Sequence, residues 1–159
     1  MISARRLLTS LIVASFAAVA ACGRDLSSPG GVRSELQINR DKWRAHGYRD
    51  YSLTMRLDCF CGDVGPFAVT VRGDSVVAAV RISDGRPSLA ISYLPTVNKL
   101  FDFIQEKLDD HTKTITVTYD AELGFPREVV YDLESRPVDG GVTYTLSGVT
   151  PISTNVLRR

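Results

Sequence analysis

The amino-acid sequence predicts an α+β domain with one antiparallel sheet of about six strands and two helices against one face of that sheet. Short stretches that alternate apolar and polar residues, or are rich in β-branched residues, indicate the strands. Two longer stretches repeat apolar residues at helical spacing. The elements follow in the order αβββαβββ, and strands linked by hairpins pair antiparallel and bury one face under helices.

The first helix is predicted to start at residue 34. Its first four residues, SELQ, fit a capping box, in which the serine hydroxyl and the glutamine amide each satisfy a backbone donor. Leu36 and Trp43, seven residues apart, then lie on one face of the helix. Gly47 is placed to end the helix.

The first strand is predicted over residues 51–58, where apolar and polar side chains alternate strictly. The same alternation places Cys59 and Cys61 on the apolar face at the end of the strand. Two more strands, FAVTVRG and SVVAAVRI, are joined by Gly73-Asp74 as a tight hairpin turn. These three strands should therefore pair antiparallel.

The second half of the chain repeats this order of elements. Pro95 and Thr96 signal a second helix, with Thr96 as its N-cap. The apolar stripe of that helix consists of Val97, Leu100, Phe101, Ile104 and Leu108. Three final strands are predicted in TITVTYD, PREVVYDL and GVTYTLSGV, with turn residues in the AELGF and ESRPVDG segments between them.

The N-terminus has the features of an export signal. Arg5 and Arg6 precede an uncharged, apolar stretch that ends at Ala21, which is shorter than the roughly 20 apolar residues of a transmembrane helix. The residues VAAC at 19–22 resemble the lipobox of bacterial lipoproteins. This resemblance implies cleavage before Cys22 and lipid on its sulfur and on the new N-terminus. An ordinary secretory signal with an unpaired Cys22 is the alternative.

The predicted organisation is a signal peptide over residues 1–21, a flexible Gly/Ser/Pro-rich tether over residues 22–33, and a single domain over residues 34–159. Lipid on Cys22 would anchor the protein to a membrane, with the domain facing an extracytoplasmic space of a bacterial cell envelope. The residue after the cysteine is Gly23 and not the Asp associated with inner-membrane retention. By resemblance to the sorting of bacterial lipoproteins, this favours the outer membrane in an organism that has one.

The net charge and the missing sequence motifs argue against several classes of function. The 19 basic and 18 acidic residues give a net charge of +1, and removing Arg5 and Arg6 with the signal leaves −1. No clustered basic face of the kind that binds nucleic acid is evident. The sequence has no nucleophile elbow, metalloprotease helix motif or phosphate-binding glycine loop. It therefore predicts neither an enzyme nor a bound cofactor.

Four motifs lie between residue 43 and the last predicted strand. They are Trp43 followed by Tyr48 and Tyr51, the triplet Cys59-Phe60-Cys61, a V-x-G-D-x-V hairpin, and the stretch TYDAELGFPREVVYD with its Gly124-Phe125-Pro126. Together these motifs resemble an uncharacterised family of small bacterial lipoproteins, a domain of unknown function. The resemblance implies a single domain in the cell envelope, and it implies no catalytic residue.

With Cys22 assigned to lipid, Cys59 and Cys61 are the two remaining thiols in an oxidising compartment, which predicts a disulfide. Closing so short a loop contributes only about 1.5 kcal/mol, so this bridge would fix local backbone geometry. Three alternatives stay open: a redox-active pair, a metal clamp such as a two-thiolate copper(I) site, and two free buried thiols. Zinc needs four ligands, and His46 and His111, the only histidines, lie at polar helix ends.

The sequence therefore predicts a lipid-anchored envelope protein with a non-catalytic binding role, whose partner is another envelope protein or a small ligand. A thiol-redox or copper-handling protein that uses Cys59 and Cys61 is the alternative. Trp43, Tyr48 and Tyr51 could line a ligand groove, although core packing where the helix meets the sheet is the stronger interpretation.

Overall fold

The computed structural model describes residues 29–59, 65–89, 91–110, 114–132 and 141–153. The predicted signal peptide, Cys22 and Cys61 lie outside the described residues, as does His111. Within the described ranges, neither helix combines the length and the apolar character that crossing a membrane requires.

The described residues form two α-helices and six strands, and their order confirms the predicted αβββαβββ arrangement. A short 3₁₀ turn, Ile91–Tyr93, precedes the second helix. All strand neighbours are antiparallel, and the sheet order is β3-β2-β1-β6-β5-β4. The elements are α1 (Pro29–Ala45), β1 (Tyr51–Cys59), β2 (Phe67–Arg72), β3 (Ser75–Arg81), α2 (Val97–Asp109), β4 (Thr114–Tyr119), β5 (Pro126–Asp132) and β6 (Val142–Pro151).

The start of α1 differs from the prediction. The helix begins at Pro29, five residues earlier, so the capping box at residue 34 is wrong. Proline is well suited to the first turn of a helix, because its fixed φ matches the helix and no backbone donor is lost there. Ser34 lies inside the helix, and its hydroxyl donates to the carbonyl oxygen of Gly30 at 2.9 Å. Residues 29–33 of the predicted tether are therefore helical.

A contact with α2 fixes the part of α1 that precedes residue 34. The Arg33 guanidinium donates to Asp109 Oδ1 at 2.5 Å and to the backbone oxygen of Leu108 at 2.6 Å. These groups close the last turn of α2, where carbonyl oxygens lack partners within the helix. The first turns of α1 are thus held by a residue 76 positions away, which no local sequence pattern reports.

The hydrophobic core lies between the helices and one face of the sheet. The alternation predicted for β1 is confirmed, since every second side chain from Tyr51 to Leu57 is buried. Both helices send their apolar side chains into the same cluster, as predicted for helices that share one face of the sheet. The helical core residues are Leu36, Trp43, Val97, Leu100, Phe101 and Ile104.

The predicted turn and cap are confirmed. Gly73 has a φ of 52° and Asp74 a φ of 69°, as a two-residue hairpin of the primed type requires. Thr96 caps α2, where its side chain accepts from the backbone N–H of Lys99. Glycine and aspartate tolerate the left-handed region better than most residues, which is why the sequence pattern was sufficient here.

Two ends of the domain can be distinguished. Tyr51, at the start of β1, accepts through its hydroxyl the backbone N–H of Val97, at the start of α2, at 2.9 Å. Cys59 shares a row of the sheet with Tyr131, whose ring lies 5.4 Å from Lys107 Nζ near the end of α2. We call the end with Cys59 and the start of α1 the N-terminal end, and the end with the start of α2 the far end.

Candidate functional site

Of the three cysteines predicted as site residues, Cys59 is the one within the described part of the chain. It is the last residue of β1, is half-buried, and packs against the core, as the alternation predicted. It is disulfide-bonded. Its pairing with Cys61 stays a prediction, because Cys61 lies outside the described residues.

The described residues offer no cluster of metal ligands. In the described ranges, no three His, Cys, Asp or Glu side chains gather closely enough to hold a metal ion. His46 follows the end of α1, and its ring lies 5.3 Å from the ring of Tyr48 at a tilt of 30°. The structure therefore places His46 in an aromatic contact.

An aromatic cluster occupies the far end. The Trp43 ring makes edge contacts with Tyr48, Tyr51 and Phe125, at centroid distances of 5.6, 5.3 and 6.4 Å. Trp43 and Tyr51 are buried core residues, which confirms the packing interpretation for both. Burial raises the pKa of the Tyr51 hydroxyl to about 12, so this group stays neutral and accepts its hydrogen bond. Tyr48 is only half-buried and faces a cleft.

A chain of polar contacts runs beside this cluster. The indole N–H of Trp43 donates to Asn98 Oδ1 at 3.0 Å, and the Asn98 amide donates to Asp74 Oδ1 at 3.0 Å. The Thr96 hydroxyl donates to the same Asp74 oxygen at 2.8 Å. Asp74 therefore joins the β2–β3 turn to the first turn of α2, where a carboxylate also meets the positive end of the helix dipole.

Asp50 holds the other side of the same turn. Its carboxylate accepts from the Arg72 guanidinium at 3.0 Å and from the backbone N–H of Gly73 at 3.0 Å. The hydrogen bond from Arg72, joined by that from Gly73, holds the pKa of the Asp50 carboxyl below its ordinary value of 3.8. The backbone oxygen of Asp50 accepts from Ile152 at 2.9 Å. Asp50 is therefore ionised at neutral pH and fixed between three chain segments.

These segments enclose a cleft of about 490 Å³ at the far end, which we call the far-end cleft. A smaller cavity of about 120 Å³ adjoins it and shares Tyr48, Arg49 and Gly73 in its wall. An aromatic ring, an exposed guanidinium and a carboxylate thus face one space, which suits recognition of a polar partner. The far-end cleft is lined by Gly47, Tyr48, Arg49, Asp50, Gly73, Pro151 and Ile152.

Only part of this cleft follows from the sequence, which marks Tyr48 as a possible groove residue and Gly73 as a turn residue. No local pattern marks Arg49 or Ile152, since they belong to segments about 100 residues apart that meet only when β1 pairs with β6. Their common role could be inferred only from the sheet register.

A family model described as a family of unknown function (DUF6174) matches residues 35–151. The chain belongs to this family. The match begins at residue 35, inside α1, and ends at the last residue of β6, so the DUF6174 region comprises most of α1, all of α2 and all six strands. No curated protein and no solved structure matches the chain significantly.

Proposed function

We propose that this protein is a lipid-anchored protein of the bacterial cell envelope whose DUF6174 domain is a non-catalytic binding module. The anchor is lipid on Cys22, exposed by cleavage after residue 21. The basic residues and short apolar stretch of residues 1–21, followed by the lipobox-like VAAC, support this part of the proposal.

The position of the far-end cleft supports the proposed binding role. Helix α1 has 17 residues and spans about 25 Å, from the side of the domain that the lipid would hold to the side with the cleft. A lipid attached before α1 therefore leaves the cleft accessible. The opposite charges of Arg49 and Asp50, together with the Tyr48 ring, suit a segment of an envelope protein or a small polar ligand.

Metabolic labelling with an alkyne fatty acid tests the anchor. The wild-type protein should carry the label and fractionate with membranes, whereas Cys22→Ser should lose both properties. Cys59→Ser is the matched control, since it removes a thiol outside the lipobox and should keep the label. An unprocessed N-terminus, or label retained in Cys22→Ser, would overturn the lipid anchor.

Site-specific photo-crosslinking in cells tests the binding module. A benzophenone amino acid at Pro151, which is exposed and lines the cleft, should give an adduct of defined mass that disappears when Tyr48→Ala is added. The same probe at Thr145, exposed on the open face of the sheet, is the control and should not give that adduct. Absence of any adduct at Pro151, or the same adduct from both positions, would overturn the binding role and leave the anchor unaffected.

A thiol-redox or copper-handling role for Cys59 and Cys61 is the second candidate. The disulfide-bonded state of Cys59 is the observation that motivates it. The half-buried position of Cys59 against the core favours the structural role, because a redox pair has to be reached by its partner. A titration of the reduction potential separates the two, since a structural disulfide resists reduction more strongly than a redox-active one.

A further inference from the structure

The far-end cleft continues into two further cavities. It shares Tyr48 and Arg49 with the cavity of about 120 Å³, which in turn shares Asn98 with a cavity of about 240 Å³ lined by residues of α1 and α2. We call these three cavities together the far-end groove, which extends from Ile152 through Asn98 to Arg44. A space that passes across three cavities fits an extended chain segment better than a compact small molecule.

The carboxylates in the wall of this groove are already bound within the domain. In the part of the chain that the structure describes, the groove has three of them. Asp50 is held by Arg72, and Asp74 by the first turn of α2. Asp102 forms an ion pair with Arg40 at 3.2 Å. These carboxylates therefore have little attraction left for a cationic ligand.

Two guanidinium groups along the groove have no such partner. Arg49 lines both the far-end cleft and the adjoining cavity, and Arg44 lines the cavity between the helices. Both residues are exposed. Among the described residues, no protein group accepts a hydrogen bond from either guanidinium or forms an ion pair with it. The groove thus presents two positive charges whose partners must come from a ligand.

The turn that carries Arg49 adds uncharged donors. The backbone N–H groups of Tyr48 and Arg49 donate to no acceptor within the described ranges, and neither does the Tyr48 hydroxyl. Successive N–H groups of a turn bind anions, because their dipoles point the same way. This turn therefore strengthens the preference of the groove for negatively charged groups.

We propose that the far-end groove binds an acidic, extended segment of another envelope protein, with one carboxylate on Arg49 and a second on Arg44. This proposal rests on the proposed function, since it names the chemistry of the partner. A guanidinium suits the task because its planar set of donors matches the two oxygens of a carboxylate. With the signal peptide removed, the chain has a net charge of −1, so the attraction is confined to the groove.

Fluorescence anisotropy with a fluorescein-labelled hexaglutamate peptide tests the proposal on the mature chain with Cys22→Ser. Binding should be saturable at about 20 mM salt and should weaken towards about 500 mM, because salt screens exposed charges. A labelled hexaglutamine peptide, equal in length but uncharged, should not bind. Binding of neither peptide, or equal binding of both, would overturn the proposal.

Free glutamate, added as an unlabelled competitor, distinguishes a segment from a small carboxylate. The unlabelled hexaglutamate peptide should displace the labelled one at a concentration at least tenfold lower than free glutamate, because it reaches both guanidinium groups at once. Equal displacement at equal concentrations of carboxylate would indicate a small anionic ligand and would overturn the extended segment.

Substitutions of exposed arginines locate the binding. Arg49→Gln should weaken hexaglutamate binding about tenfold, and Arg44→Gln about threefold. Arg49→Lys, which keeps the charge but not the planar donors, should lie between wild type and Arg49→Gln. The matched control is Arg127→Gln, since Arg127 is exposed on β5, lies in the wall of none of the three cavities and should leave binding unchanged. Undiminished binding by Arg49→Gln, or an equal loss in Arg127→Gln, would overturn the proposal.

Photo-crosslinking at Pro151 in cells separates this proposal from the proposed function. The adduct should disappear with Arg49→Gln and persist with Arg127→Gln, and mass spectrometry should find Asp or Glu in the partner peptide that it contains. An adduct that Tyr48→Ala removes but Arg49→Gln leaves intact would overturn the acidic segment and leave the binding module standing.

Discussion

The backbone of Gly124 lies directly against the carbonyl oxygen of Asn39. A Cβ atom on Gly124 would stand 2.6 Å from that oxygen and 2.9 Å from the Cβ of Lys42, closer than atoms pack in proteins. Gly124 also has a φ of 79°, in the left-handed region. This contact seats the β4–β5 turn on α1 and brings the adjacent Phe125 against Trp43.

We predict that Gly124→Ala destabilises the domain far more than a matched change elsewhere. Gly85→Ala is the control, since Gly85 has a similar φ of 70° but nothing within 4 Å of a new Cβ. Left-handed backbone alone should lower the free energy of unfolding by about 1–2 kcal/mol at Gly85. The clash at Gly124 should add about 1–3 kcal/mol more, measured by urea denaturation. Equal losses at the two positions would show that the turn moves aside freely.

Asp74 and Thr96 should be energetically coupled. Thr96→Ala removes both the N-cap of α2 and the hydroxyl that donates to Asp74, and it should lower the free energy of unfolding by about 1–2 kcal/mol. In a double-mutant cycle with Asp74→Ala, the coupling energy should be about 0.5–3 kcal/mol. Strain from alanine at the positive φ of residue 74 cancels in the cycle. Strictly additive losses would contradict the contact.

The Asp50 carboxylate should make stability depend on acidic pH. Because its pKa is lower in the folded state than in the unfolded chain, its stabilisation is complete above the unfolded value of about 3.9 and is lost as the pH falls through the folded value. Asp50→Asn should therefore unfold at a lower temperature than the wild type at pH 6, with the difference shrinking below pH 4. Arg72→Gln, which removes the guanidinium that donates to Asp50, should show the same dependence on pH. A difference that stays constant from pH 6 to pH 3 would contradict this.

The predicted Cys59–Cys61 bridge should form fully and contribute modestly to stability. Thiol counting on the mature chain with Cys22→Ser should find no free thiol before reduction and two after it. Reduction should lower the free energy of unfolding by only about 1.5 kcal/mol. A potential below about −300 mV in glutathione buffers marks a structural bond, whereas one near −200 mV would support the redox candidate. Two persistent free thiols would exclude both and call for a copper titration.

Most of the fold could be predicted because its signals are local. The alternation along β1, the positive-φ turn at Gly73-Asp74 and the cap at Thr96 each depend on residues within a few positions of one another. The predicted start of α1 was wrong because it depends on residues that are distant in the sequence. A plausible local motif at Ser34 competed with Pro29 and with the distant Arg33–Asp109 contact, and the distant contact belongs to tertiary structure.

The far-end cleft is a second feature that the sequence could not predict. Its wall combines the turn after α1, the β2–β3 turn and the end of β6, so it exists only once the sheet register is set. Tyr48 could be suspected as an aromatic residue next to a strand. Nothing local distinguishes Arg49 from other exposed arginines, and its place in the cleft follows from pairing across the whole length of the chain.

With the proposed lipid on Cys22, the early start of α1 would limit the distance between the domain and its anchor. From Cys22 to Pro29 there are seven backbone steps, which span at most about 25 Å when fully extended, whereas twelve steps to Ser34 would allow about 40 Å. Since the effective concentration around an anchor point falls roughly as the −3/2 power of tether length, seven steps in place of twelve raise it about twofold. A partner held beside the anchor would accordingly meet this domain at about twice the effective concentration that the longer tether would give.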